Sequence, residues 1–132
     1  MRLEHLGIAT QDLSAARELY TRLLGTEPYK EERVEEQGVT TLFFRTGESK
    51  VELLEATRHD SPIATYLERH GEGIHHVAFE VADIRAEMAR LRNEGFRLLQ
   101  EEPTVGADDK WVCFVHPKSA GGVLVELCQS RS

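Results

Sequence analysis

The chain has 132 residues and a net charge of −7, with 40% apolar and 30% charged residues. That is the length of one domain with enough chain to bury a core. No run approaches the ~18 consecutive apolar residues of a membrane span, and no Lys/Arg cluster supplies the basic face that nucleic acid requires. The opening stretch "MRLEHLGIAT" lacks the long apolar core of a signal peptide. The expectation is a cytoplasmic protein that engages neither membrane nor nucleic acid. A local site can still take an anionic small molecule.

In chain order, "HLGIATQDL" opens with His5 on a strand-like run, and Asp12 can cap a helix. Apolar residues at Leu13, Ala16, Leu19, Tyr20, Leu23 and Leu24 form a helical stripe. Gly25 stops it as a C-cap. Three strands are expected near 28–36, 39–46 and 49–55, with the turn "TGES" between the last two. Gln37 and Gly38 fall in a hairpin turn. In "RHDSPIATYLERHGEG", Asp60 or Ser61 can cap a short helix with Pro62 at its first position. "GIHHVAFEVADI" then begins a second strand–helix unit, with Asp83 as the cap and Gly95 as the stop. Further strands are expected near 96–102, 110–116 and 122–128. Cys113 and Cys128 sit in apolar strand runs without CxxC spacing, which suits reduced core residues. Trp111 reads as core or interface, and His59 and His70 as surface residues.

The chain repeats itself. "HLGIATQDL" from His5 matches "HVAFEVADI" from His76, and "KVELLE" matches "VLVELC". Glu52 lies 47 residues after His5, and Glu126 lies 50 after His76. Each half is a βαβββ module, one spanning about 1–57 and the other about 73–130, joined by a linker helix near 60–71. In a strand, residues i and i+2 share a face. Small residues, Gly7 and Ala78, therefore lie beside the two aligned histidines and leave room near each imidazole. A carboxylate among strand aliphatics is costly to bury unless it is paired or binds a cation. One histidine or one glutamate alone reads as structural. Two matched pairs point instead to a metal set of His5, Glu52, His76 and Glu126, brought together if the modules pair about a pseudo-twofold axis. Such a nitrogen and oxygen set suits Co²⁺, Mn²⁺, Ni²⁺ or Zn²⁺. His75 has no counterpart in the first half, where Glu4 stands. Its alternation turns it to the face opposite His76. The fold expected is α+β, with two βαβββ modules in pseudo-twofold pairing whose curved mixed sheets form a metal-binding cleft.

The phrases "HLGIAT", "VELLEA", "DSPIATYLERHGEGIHHVAFEV", "EEPTVGADDK" and above all "HPKSAGGVLVEL" resemble the vicinal-oxygen-chelate superfamily, and within it the methylmalonyl-CoA epimerases. The resemblance covers nearly the whole chain. It implies a homodimer, a divalent metal that is often cobalt, an acyl-CoA thioester substrate, and interconversion of (2R)- and (2S)-methylmalonyl-CoA. It implies further that Glu126 is both metal ligand and base. The second base departs from part of the family. Some relatives carry glutamine at the position of Glu52 and a separate glutamate at the position of Thr41. Threonine cannot take that proton, so Glu52 is expected to act from the face opposite Glu126. In "HPKSAGG", Lys118 and Ser119 are candidate substrate contacts through a cation and backbone N–H groups. The resemblance adds Gln37 at the site edge.

Glyoxalase I resembles the chain in its paired modules and related ligands, but it typically carries a shorter "DPDG"-like turn where "HPKSAGG" stands. A glyoxalase-like isomerase of glutathione hemithioacetals is therefore the alternative enzyme. An extradiol dioxygenase would use two histidines and one carboxylate, which the second glutamate argues against. A non-catalytic binding module would have little reason to keep all four ligands.

Overall fold

The computed structural model describes residues 1–132. In chain order its elements are β1 (Arg2–Ala9), α1 (Leu13–Leu24), β2 (Lys30–Val34), β3 (Val39–Thr46), β4 (Ser49–Ala56), α2 (Pro62–His70), β5 (Gly73–Glu80), α3 (Ile84–Asn93), β6 (Thr104–Gly106), β7 (Lys110–Val115) and β8 (Val125–Ser130). Short 3-10 turns occupy Glu35–Gln37 and Pro117–Ala120. The fold is α+β. The chain forms two compact units, His5–His75 and Met1–Glu4 with His76–Ser132.

In the His5–His75 unit the strand order is β2-β3-β4-β1. β1 runs parallel to β4, and the other pairings are antiparallel. The alternation along β4 decides which helix meets which face. Leu53 turns toward α1 and joins Ala16, Leu42 and Phe44, with Ile8, Tyr20 and Val51 packed around them. Leu54 turns the other way and meets Ile63 of α2 together with Ala9 and Val39. Glu52 shares the face of Leu54. The caps are those the sequence asks for. The Asp12 carboxylate accepts the Ala15 N–H at 3.1 Å, and Gly25 takes the left-handed conformation at φ 69° that a side chain would disfavour. Of Asp60 and Ser61, Ser61 is the cap of α2, accepting the Ile63 N–H at 3.1 Å ahead of Pro62.

In the other unit the order is β5-β8-β7-β6, with β5 parallel to β8. Its one α-helix, α3, is capped by Asp83. Val81, Ile84, Met88 and Leu91 pack with Cys113, Val115 and Leu127. Alternation therefore puts Val112, Phe114, Glu126 and Cys128 on the opposite face. Both cysteines are free and buried.

Two strands differ from the sequence reading. The strand expected near 96–102 is not formed. That segment lies beside β7, with Leu99 N–H donating to the Phe114 carbonyl and His116 N–H to the Arg97 carbonyl, both at 2.8 Å. The ladder fails because the Gln100 side chain, and not a backbone carbonyl, accepts the Phe114 N–H at 2.8 Å. The Arg92 guanidinium donates to the carbonyls of Gln100 and Glu101. The true edge strand comes later, at Thr104–Gly106. The last strand is also later than 122–128, because the turn after His116 runs through Gly121 and Gly122 before β8 begins at Val125.

Candidate active and metal site

β1 carries His5 and Gly7, and β4 carries Glu52. Gly7 stands opposite Glu52 and adds no side chain of its own beside the carboxylate. On the other flank of Glu52, β3 places Phe43. His5 Nδ1 lies 3.1 Å from Glu52 Oε2, and each residue is only 5% exposed. The second unit repeats the arrangement. Ala78 of β5 and Phe114 of β7 flank Glu126 of β8. His76 Nε2 lies 3.3 Å from Glu126 Oε1, with exposures of 6% and 7%.

A buried carboxylate without compensation costs several kcal/mol, and here each has an imidazole beside it. Each unit thus holds a buried imidazole nitrogen and a buried carboxylate, donor types that a borderline divalent cation takes. The cross-strand phenylalanines were not singled out from sequence. Their signal was present: each precedes its glutamate in the strand before it, Phe43 before Glu52 and Phe114 before Glu126.

His75 is set apart from its neighbour. It meets the Tyr66 ring edge-on at 5.0 Å, and burial holds its imidazole neutral down to about 4. Thr41 is 1% exposed. It pairs with Leu54, so it shares the face of Glu52 one step along the sheet. Glu4, whose place in the repeat matches His75, is 2% exposed. Sequence reading gave it no role. Burial pushes the Cys128 thiol up, and the carboxylates of Glu126 and Glu4 push it further. A thiolate nucleophile is therefore not available at that position.

Lys118 is exposed on the turn after β7. The Ser119 hydroxyl accepts the Arg97 N–H at 3.0 Å, and His116 Nδ1 accepts the Lys118 N–H at 3.1 Å. These bonds fix the shape of the turn and leave the Lys118 ammonium in solvent. Gln37 is exposed at the end of the Glu35–Gln37 turn, next to Gly38 at φ 63°. Trp111 is partly buried against the α3 core, with the Arg131 guanidinium 4.9 Å from its ring. His59 and His70 are exposed.

Residues 4–114 match the family model of the glyoxalase/bleomycin resistance protein/dioxygenase superfamily. The chain belongs to that superfamily. Among its relatives, an ethylmalonyl-CoA/methylmalonyl-CoA epimerase of Cereibacter sphaeroides is 44% identical over 130 residues, covering 97% of each chain. Among solved structures, methylmalonyl-CoA epimerase from Mycobacterium tuberculosis superposes with a TM-score of 0.94 at 35% identity, over 99% of this chain and 89% of that one. A substituted form of the Streptomyces coelicolor methylmalonyl-CoA epimerase, in complex with 2-nitronate-propionyl-CoA, gives 0.92 at 40% identity, over 100% of this chain and 99% of that one. At these identities the superfamily fold extends over the whole chain.

Proposed function

We propose that this chain is a methylmalonyl-CoA epimerase, an isomerase that interconverts the (2R) and (2S) thioesters by removing and returning the α-proton. The observation that carries the reading is the buried His–Glu pair in each unit, His5 with Glu52 and His76 with Glu126. It is supported by relatives of nearly full coverage that carry this activity. In this reading the four residues together hold one divalent cation. Cobalt is favoured by family likeness, and manganese, nickel and zinc are compatible with the donors. When bound, such a cation supplies positive charge against the negative charge that develops on the substrate oxygens.

The remaining work falls to the chain's own groups. The α-proton lies between a thioester carbonyl and a carboxylate, which acidifies it. Glu126 takes it from one face and Glu52 returns one from the other, each carboxylate contributing typically ~10²–10⁴-fold. Thr41, in the place where part of the family has a glutamate, cannot share that work. Lys118, Ser119 and Gln37 lie on exposed turns and are assigned to the acyl-CoA substrate, with Lys118 meeting its anionic groups. A cytoplasmic homodimer completes the proposal.

The test is α-proton exchange on methylmalonyl-CoA in deuterium oxide, with metal-loaded and metal-free protein side by side. Rapid wash-in by the loaded protein alone is expected. Absence of exchange with the loaded protein, together with turnover of a glutathione hemithioacetal, would overturn the assignment in favour of a glyoxalase-like isomerase.

A further inference from the structure

Each unit sets its carboxylate in the same row of three across neighbouring strands: a residue without bulk, the glutamate, and a phenylalanine. The rows are Gly7–Glu52–Phe43 and Ala78–Glu126–Phe114. Members of such a row stand about 4.8 Å apart and project from one face of the sheet, so each ring flanks its carboxylate.

The two rings differ in what covers them. Phe43 is 0% exposed. β2 runs alongside it and pairs Lys30 with Phe43. The Tyr29 ring at 6.0 Å and the Lys30 ammonium at 5.2 Å close over it. In the other unit the edge strand is too short to do the same. β6 pairs with β7 only as far as Thr104 opposite Val112, two residues short of Phe114. Where a strand residue would stand, the Gln100 side chain takes the Phe114 N–H. Phe114 keeps exposed surface and meets the His76 ring edge-on at 6.1 Å and 84°.

We infer that Phe114 is the specificity-determining wall of the site, packing against the α-substituent of a 2-alkylmalonyl-CoA and limiting its size, while Phe43 is framework. The inference rests on the epimerase reading above. For Glu126 to take the α-proton, that proton must come within hydrogen-bond reach of the carboxylate, about 3 Å between heavy atoms. Of the three other groups on that carbon, the thioester and the carboxylate carry polar atoms that seek polar partners, and the alkyl group is left to the apolar surface that flanks Glu126. On one flank is Ala78, 0% exposed, with no surface to offer. On the other is the partly exposed Phe114 ring. A methyl group fits against a ring edge, and each further methylene has to displace it.

Four proteins decide the matter: wild type, Phe114→Ala, Phe114→Leu and Phe43→Leu, all metal-loaded. The readout is the ratio of exchange rates, kcat/KM on ethylmalonyl-CoA over kcat/KM on methylmalonyl-CoA. One methylene in an apolar pocket is worth roughly 10–200-fold, so Phe114→Ala is expected to raise the ratio by at least about tenfold and Phe114→Leu by less. Phe43→Leu should lower the unfolding temperature and leave the ratio alone. If Phe114→Ala does not fold, Phe114→Leu and Phe114→Met carry the same comparison. Retained activity with an unmoved ratio in the Phe114 variants would overturn the inference. So would a Phe43→Leu ratio that moves as far as theirs. A wild-type protein that exchanges neither thioester would overturn the epimerase reading itself and this inference with it, a result distinct from an active enzyme with an unmoved ratio.

Discussion

Glu52→Gln separates the two halves of the proposed chemistry. The amide is isosteric, so no cavity opens at a position only 5% exposed, and the side chain still presents an oxygen toward His5, whose Nδ1 is 3.1 Å from the carboxylate. What disappears is the negative charge and the ability to hold a proton. Loss of a placed base typically costs ~10²–10⁴-fold, which corresponds to about 3–5 kcal/mol at 1.36 kcal/mol per decade. The loss should fall on one face alone. With Glu126 intact, the epimer whose proton points at Glu126 should still exchange with solvent and return unchanged in configuration, because nothing can deliver a proton to the opposite face. The assay starts from each epimer separately in deuterium oxide and follows deuterium content and configuration together. Metal content is measured on the same samples, so that a weakened site is not mistaken for a missing base. A Glu52→Gln protein that retains its metal and still epimerises either isomer within tenfold of wild type would refute the two-glutamate scheme. It would then place the second base elsewhere.

Three further outcomes follow from the same geometry. His76→Ala strands the Glu126 carboxylate in a buried setting and should lower cobalt affinity by more than the 10–100-fold typical of lost supporting contacts. His75→Ala, which removes a ring packed on Tyr66, should leave affinity within a few-fold by titration calorimetry; the reverse order would mean the histidine register is off by one. Glu72 accepts the Thr10 hydroxyl and the Gln11 N–H, each at 2.8 Å, and these bonds hold its carboxyl below the ordinary 4.5. A depressed folded value means stability that is present above 4.5 and lost as pH falls through the lowered value. Glu72→Gln should flatten that acid limb, and an unchanged slope would remove Glu72 from its cause.

What was legible in the chain was local or repeated. Asp12 and Asp83 cap helices through bonds that reach three residues along the chain, so the sequence contains everything the cap needs. The His–Glu pairs were legible because they recur: neither His5 nor Glu52 alone outweighs the ordinary view of a strand polar residue. What escaped depends on partners distant in the chain. The strand expected at 96–102 has apolar content enough, but its pairing is captured by the Gln100 amide and by Arg92 from α3, neither of which hydrophobic periodicity can register. The rows that place Phe43 and Phe114 beside the glutamates exist only once strand register is fixed. The buried state of Glu4 likewise depends on tertiary cover, which composition does not reveal.

The two units share a repeat and differ in what covers it. The proposed chemistry asks for two like carboxylates, and the rows around Glu52 and Glu126 are matched, each within its own unit. The substrate has no such symmetry. A thioester, a carboxylate and an alkyl group leave one carbon, and two like carboxylates alone could not tell the last from the others. Discrimination has to come from positions where the units differ. In the His5–His75 unit, α2 packs on the face that bears Glu52, through Ile63 against Ala9, Val39 and Leu54. In the other unit the single helix α3 packs on the face away from Glu126, and the shortened edge strand leaves Phe114 partly uncovered. Duplication accounts for the matched His–Glu pairs, whereas the selection proposed for Phe114 draws on what one copy gained in cover and the other lost.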